Sequence, residues 1–449
     1  MIRVIKGGTV VTSSEMYQAD IAIEDGEIVR IAKDIDTGGS EVIDARGAYV
    51  FPGAIDPFVS HSLTLDGLST EEDFSEVTQA AVLGGTTTVL DCAYQDRGMS
   101  LKATLEAWHA KARGRALVDY AFHIVVSDPS ERALGEFRDI VENEGVSSFK
   151  VFLGFKDRWM LDDASFFRLL QKAREIPALV VVHPENGCVT SFLQNYAIRH
   201  DNVSFAHYAQ ASPCILEGEA IHRAVAFASL ANCPLYVSPT TCSEGLGAVL
   251  RARGRDQEVF AETLLPYLLF NGLPEGARTL PSPPFRGKED REALWSALKQ
   301  GYIHTVGSGH IGLPGMPEVP AAREDFRDIP KGFRGVKERF GLLYTYGVEE
   351  RRITLNRFVS LVSTAPAKIF GMFPKKGTIA VGSDADVVVW DPTEEQKITT
   401  NDSMYAEYRI QGRPLAVLLR GEVVVQNGKL QKEPGIGKFI FRAKHGMYL

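Results

Sequence analysis

Three side chains able to take or give a proton stand at the ends of apolar runs: Lys150 in "SSFKVFLGF", His183 in "ALVVVHPENG" and His310 in "TVGSGH". An imidazole titrates near neutrality and can serve as acid or base. A lysine drawn into an apolar wall loses affinity for its proton unless a carboxylate answers it. Lys150 is therefore either a structural cation paired with Asp56 or another acid, or a working group, a base or an anion-binding ammonium. A further run, "GAIDPFVSHSL" at 53–63, reads as a buried strand passing into a loop. Asp56, Phe58 and Ser60 fall on one face of it, because strand side chains alternate. His61 reads as a loop histidine; a one-residue slip would bring it round, but would turn Asp56 and Phe58 away. Cys188 lies close in sequence to His183, and Cys242 to Pro239. A nucleophilic cysteine needs a base partner and an electropositive setting.

These groups need a scaffold that brings strand ends together. Between residues 51 and 375, apolar runs ("TTTVLDCA", "VDYAFHIVV", "SSFKVFLGF", "PLYVSPTT") alternate with amphipathic stretches ("SLKATLEAWHAKAR", "GEAIHRAVAFASLANC", "EDREALWSALKQ"). Continuous apolar strands separated by helices predict a parallel sheet, and at this length an α/β (β/α)8 TIM barrel. The two ends differ. Residues 1–50 and 376–430 are short alternating runs punctuated by Gly, Asp and Ser, which predicts one discontinuous β-sandwich domain built from both chain ends. The basic, aromatic tail 431–449 reads as an arm that docks on a neighbouring domain or subunit. The 449 residues carry a net charge of −8 with no basic block, which argues against a nucleic-acid partner. No apolar run reaches the ~20 residues of a membrane helix. The five cysteines show no C-x-x-C spacing, so a reducing cytoplasm is the expected setting.

The motifs "PGAID", "AAVLGGTTTVLD", "SSFKVFLGF", "VVVHPENG", "LPSPPFRGKEDREALWSALKQG", "TVGSGH" and "RFVSLVSTAPAKIFGMFPKKGTIAVGSDADVVVWDP" resemble the dihydropyrimidinase/hydantoinase branch of the cyclic amidohydrolases, across roughly residues 2–430. The resemblance implies a homo-oligomer, usually a tetramer, and two divalent metals at the barrel mouth. Four histidines, an aspartate and a carboxylated lysine hold the metals, about 3.5–4 Å apart, and they acidify the attacking water. Position by position, this chain departs from that pattern. Phe58 and Ser60 stand where the first two histidines belong, Pro239 where the fourth belongs and Gly309 where the aspartate belongs; Lys150 and His183 are kept.

The resemblance also marks the substrate side. Phe155 replaces the tyrosine that holds the oxyanion, Ser282 is retained, and Lys331 replaces an asparagine. With Lys150, His183 and His310, Ser282 and Lys331 would form a small electropositive pocket for an anionic ligand. No metal and no other cofactor is expected. Three functions follow: a non-hydrolytic pseudoenzyme or assembly subunit; a metal-independent lyase, decarboxylase or hydrolase acting on a small carboxylated or cyclic amide-like substrate; or a cyclic amide hydrolase with one recruited metal.

Overall fold

A computed structural model of the chain describes residues 2–65, 68–272, 279–313, 325–399 and 403–447. Met1 and the last two residues of the predicted arm lie outside them. The central sheet is all parallel. Its strands run Ala54–Ser60, Thr86–Tyr94, Asp119–Val125, Ser148–Phe152, Leu179–His183, Leu235–Val237 and Val259–Leu264, each paired with the next. One short segment closes the circle. Thr305–Gly307 pairs with Val259–Leu264, and His310–Ile311, two residues on, pairs with Ala54–Ser60. The sheet is thus a TIM-type barrel whose last strand is broken at Ser308 and Gly309.

Local chemistry explains the helices that alternate with these strands. Ser100 accepts a hydrogen bond from Ala103 N at the start of Leu101–Ala112, and Asp162 accepts one from Ser165 N at the start of Asp163–Glu175. Each cap satisfies an otherwise orphaned amide of the first turn. Asp119–Val125, Ser148–Phe152 and Leu179–His183 are buried along their whole length, as the continuous apolar runs predicted.

Both chain ends meet in a separate nine-stranded sheet, mostly antiparallel, whose order runs from Lys429–Leu430 through Val387–Lys397 and Tyr49–Pro52 to Glu27–Ala32. The junction between the chain's two ends is the pairing of Val387 with Pro52. A buried ionic knot ties this sheet to the barrel. Lys376 Nζ lies 2.6 Å from Asp119, 2.8 Å from Asp384 and 2.7 Å from Asp386. The arm docks on the barrel of its own chain, at the end opposite the mouth. Lys438 O accepts from Tyr120 N, Ile440 N donates to Tyr120 O, and the Phe439 ring stacks on Phe122.

Candidate functional site

The C-terminal ends of parallel barrel strands share one mouth, and there the structure gathers most of the residues named above. Phe58, Lys150, Phe155, His183, Pro239, Ser282, Gly309 and Lys331 all line one cavity of about 50 Å³, together with Tyr94, Leu264 and Phe333. That space suits a few water-sized groups. It is well short of the ~300 Å³ and upward of an ordinary small-molecule pocket.

Lys150 is fully buried. Its Nζ sits 3.6 Å over the Phe58 ring and 5.7 Å from that of Phe152, the cation–π geometry. Among the described residues it has no hydrogen bond and no carboxylate in ion-pair range. Burial lowers its pKa, and Cys92 and Glu262 pull it only part of the way back. The expected pairing with Asp56 does not occur. Asp56 Oδ1 accepts from Ser308 N at 3.1 Å, and Oδ2 lies 3.5 Å from Arg339 Nε, an arginine that also donates to Ile55 O and Val306 O. Arg339 is fully buried and takes the acid that Lys150 would have needed.

His183 is held rather than free. Its Nε2 lies 2.9 Å from Glu185 Oε2, which also accepts from Ser282 Oγ at 2.7 Å, while Glu185 Oε1 accepts from Ser212 Oγ at 3.2 Å. Burial opposes ionisation of Glu185, but His183, Ser282 and Arg286 outweigh it and hold the carboxyl below its usual range. An ionised Glu185 accepts a hydrogen carried on Nε2. Asn186, the next residue, caps the helix Gly187–Arg199 through Val189 N.

Two predicted residues lie outside the cavity. His310 is turned back: Nε2 lies 2.9 Å from Glu72 Oε2, and Nδ1 accepts from Gly335 N and Val336 N. Both ring nitrogens are committed, so His310 is positioned as a strut of the closing strand. Ser60 Oγ donates to Tyr94 OH at 2.9 Å, behind the lining. His61 is also turned away, with Nδ1 2.7 Å from Asp91 Oδ2 and its ring edge-on to Phe74.

The positions where the resemblance places ligand and substrate groups are tightly packed. Gly309 adopts φ +67°, and a Cβ there would lie 2.6 Å from Leu264 Cδ1 and 3.1 Å from Phe333 Cζ. Phe155 holds φ +55°, a left-handed conformation rare for a bulky side chain. Its ring packs 5.5 Å from His183 and 5.4 Å from Trp159. Sequence reasoning missed Glu262, a fully buried acid in the barrel whose pKa is pushed up to about 7 by burial, with Lys150, Ser238 and Tyr236 pulling it back. The available signal was a lone acid in the apolar run "VFAETL". Of the two cysteines considered, Cys188 is exposed and Cys242 is buried against Cys214 O, 3.7 Å away.

The parallel barrel, the sheet built from both chain ends and the lysine and histidine at the mouth define an amidohydrolase-type frame. Residues 49–424 match the Amidohydrolase family, and the chain belongs to it. Within that family it is similar to the D-hydantoinase of Geobacillus stearothermophilus, 41% identical over 99% of this chain and 98% of that protein. Among solved structures, the dihydropyrimidinase of Brevibacillus agri NCHU1002 superposes with a TM-score of 0.95 at 40% identity, covering 99% of each chain. The L-hydantoinase of Arthrobacter aurescens gives 0.90 at 29% identity, covering 98% of this chain and 99% of that one. Among the described residues no helix is long and apolar enough to cross a membrane.

Proposed function

We propose that this chain is a hydantoinase-like barrel that has left metal-hydroxide hydrolysis and acts through assembly, with itself or with another protein, rather than through turnover. The observation that carries this reading is the repacking at Gly309. An aspartate there would drive its Cβ into Leu264 and Phe333, and an L side chain disfavours that backbone conformation. The donors do not fit the family's metal pair. Each ion needs three or four ligands, whereas Lys150 and His183 are the two retained ligand positions, and His183 Nε2 is engaged by Glu185. Among the described residues, the side-chain groups close enough to share an ion lie elsewhere: Asp119, Asp384 and Asp386, already filled by Lys376, and a cluster around Cys214.

The test is ring opening of hydantoin and dihydropyrimidine substrates, with Zn2+, Mn2+ or Co2+ supplied. The expected result is no opening above the enzyme-free rate. Turnover that scales with protein and disappears in Lys150→Met would contradict the reading. Self-association as a dimer or tetramer is supported by the helix Gly187–Arg199, which leaves Val189, Phe192 and Tyr196 exposed; light scattering tests it. We further infer a division into a barrel (51–375), a two-part sheet domain (1–50 with 376–430) and an arm (431–449), in a cytoplasmic protein.

One observation favours a second reading, that of a small anionic ligand at the mouth. Lys150 Nζ is buried on two aromatic rings with no carboxylate in ion-pair range among the described residues, while Lys331 and Ser282 line the same cavity. Small carboxylates such as formate and acetate should then raise the melting temperature of the parent and not of Lys150→Met. Equal shifts in both proteins would dismiss this reading.

A further inference from the structure

The helices Cys214–Ala231 and Ser243–Arg253 both begin at the mouth end of the barrel, outside the cavity lining, and their first turns meet. Cys214 is the first residue of one helix, and Cys242 is the N-cap of the other. The Sγ atoms of Cys214 and Cys242 and a carboxylate oxygen of Glu244 all lie within 4.8 Å of one another. Cys214 Sγ also lies 3.6 Å from Asp290 Oδ2. In a tetrahedral zinc site, bonds of about 2.3 Å to sulfur and about 2.1 Å to oxygen set neighbouring sulfur and oxygen ligands ~3.6 Å apart.

The carboxylates are held from outside. Ser243 N donates to Asp290 Oδ1 at 2.9 Å, which leaves Oδ2 directed at Cys214. The Ser243 hydroxyl lies 2.9 Å from that same Oδ1 and 3.0 Å from Glu244 Oε2. Outer contacts of this kind fix ligand orientation in metal sites. The two helix N-termini offset part of the negative charge that the anionic donors would gather.

We propose that Cys214, Cys242 and Glu244 form a site for one thiolate-preferring divalent cation of the zinc class, separate from the barrel mouth, with Asp290 as the carboxylate beside Cys214. Binding replaces the two thiol protons, which pass to solvent, with two metal–sulfur bonds; nothing is oxidised or reduced. Such an ion would clamp the two helix starts together, next to Ser212, whose carbonyl accepts from Arg286 and whose hydroxyl donates to Glu185.

The experiment is a titration of the full chain, stripped by a chelator and kept reduced, with Co2+ and then Zn2+. The expected result is about one equivalent of cobalt showing a sulfur-to-cobalt charge-transfer band and tetrahedral d–d bands, bleached by zinc. Cys214→Ser and Cys242→Ser should each lose the charge-transfer band, and Ser243→Ala should bind about tenfold more weakly. Cys188→Ser, which alters an exposed cysteine outside the cluster, should behave as the parent. Circular dichroism and melting of each variant separate lost ligation from lost folding. No charge-transfer band in the parent overturns the proposal. So does a band that survives in the double variant C214S/C242S, or a Cys214–Cys242 disulfide in protein kept under reductant. Cobalt bound without sulfur character would overturn it too, and would count against the metal-free mouth at the same time.

Discussion

Two buried lysines occupy opposite ends of the same barrel. Lys376, at the junction with the sheet, is surrounded by three carboxylates within 2.8 Å. Burial disfavours its charge, but Asp386, Asp119 and Asp384 outweigh burial and raise its pKa. Lys150, at the mouth, rests on Phe58 and Phe152 and has its pKa lowered. The difference separates two reasons for keeping a buried cation. Lys376 is answered by the fold and holds it together. Lys150 is answered by no acid in contact among the described residues and rests on aromatic rings instead.

The comparison predicts opposite responses to the same substitution. Lys376→Met would leave Asp386 without a cationic partner and take one from Asp119 and Asp384, which keep Arg420 and Lys375, and should destabilise the chain by about 3–5 kcal/mol, read as a large fall in denaturant midpoint. Lys150→Met removes a desolvated charge from an aromatic cavity and should change stability by less than ~1 kcal/mol, with either sign small beside the Lys376 effect. Comparable losses in both variants would erase the distinction.

Glu262 sharpens it through pH. Its folded pKa of about 7 lies above the ordinary carboxyl value, so the folded state holds the proton longer than the unfolded one. The stability this contributes is complete below the unfolded pKa and is lost as pH rises through about 7. Glu262→Gln should therefore melt increasingly above the parent between pH 5 and pH 8, by at most ~3 kcal/mol. Parallel pH profiles for the two proteins would show that Glu262 is not held protonated.

The tightly packed positions come next. Gly309→Asp should lose about 1–3 kcal/mol from overpacking against Leu264 and Phe333, without gaining metal affinity. Ser60→Ala, which removes the hydrogen bond to Tyr94, should cost about 1 kcal/mol.

The sequence showed the framework and the places where donors were missing, because both are local. Apolar runs such as "VDYAFHIVV" became Asp119–Val125, and "ALVVVH" became Leu179–His183. Phe58, Pro239 and Gly309 could be read as non-ligating by residue type alone. The partners of the retained groups were hidden, since they come from distant segments. Arg339 takes Asp56 from Lys150 across more than 280 positions, and Glu72 turns His310 away from the mouth across more than 230. The meeting of Cys214 with Cys242 and Asp290 is likewise a product of two helix starts converging, with no spacing motif to announce it.

The most direct test of the account is divalent metal content at the barrel mouth, measured by plasma mass spectrometry on C214S/C242S protein purified without chelator. Those substitutions remove the proposed thiolate site and leave every mouth residue intact. The account predicts less than ~0.1 equivalent of metal per chain, because two retained donors cannot hold a hydrolytic ion pair. One or two equivalents, lost on Lys150→Met or His183→Ala, would contradict it and return the chain to the metal-dependent hydrolases.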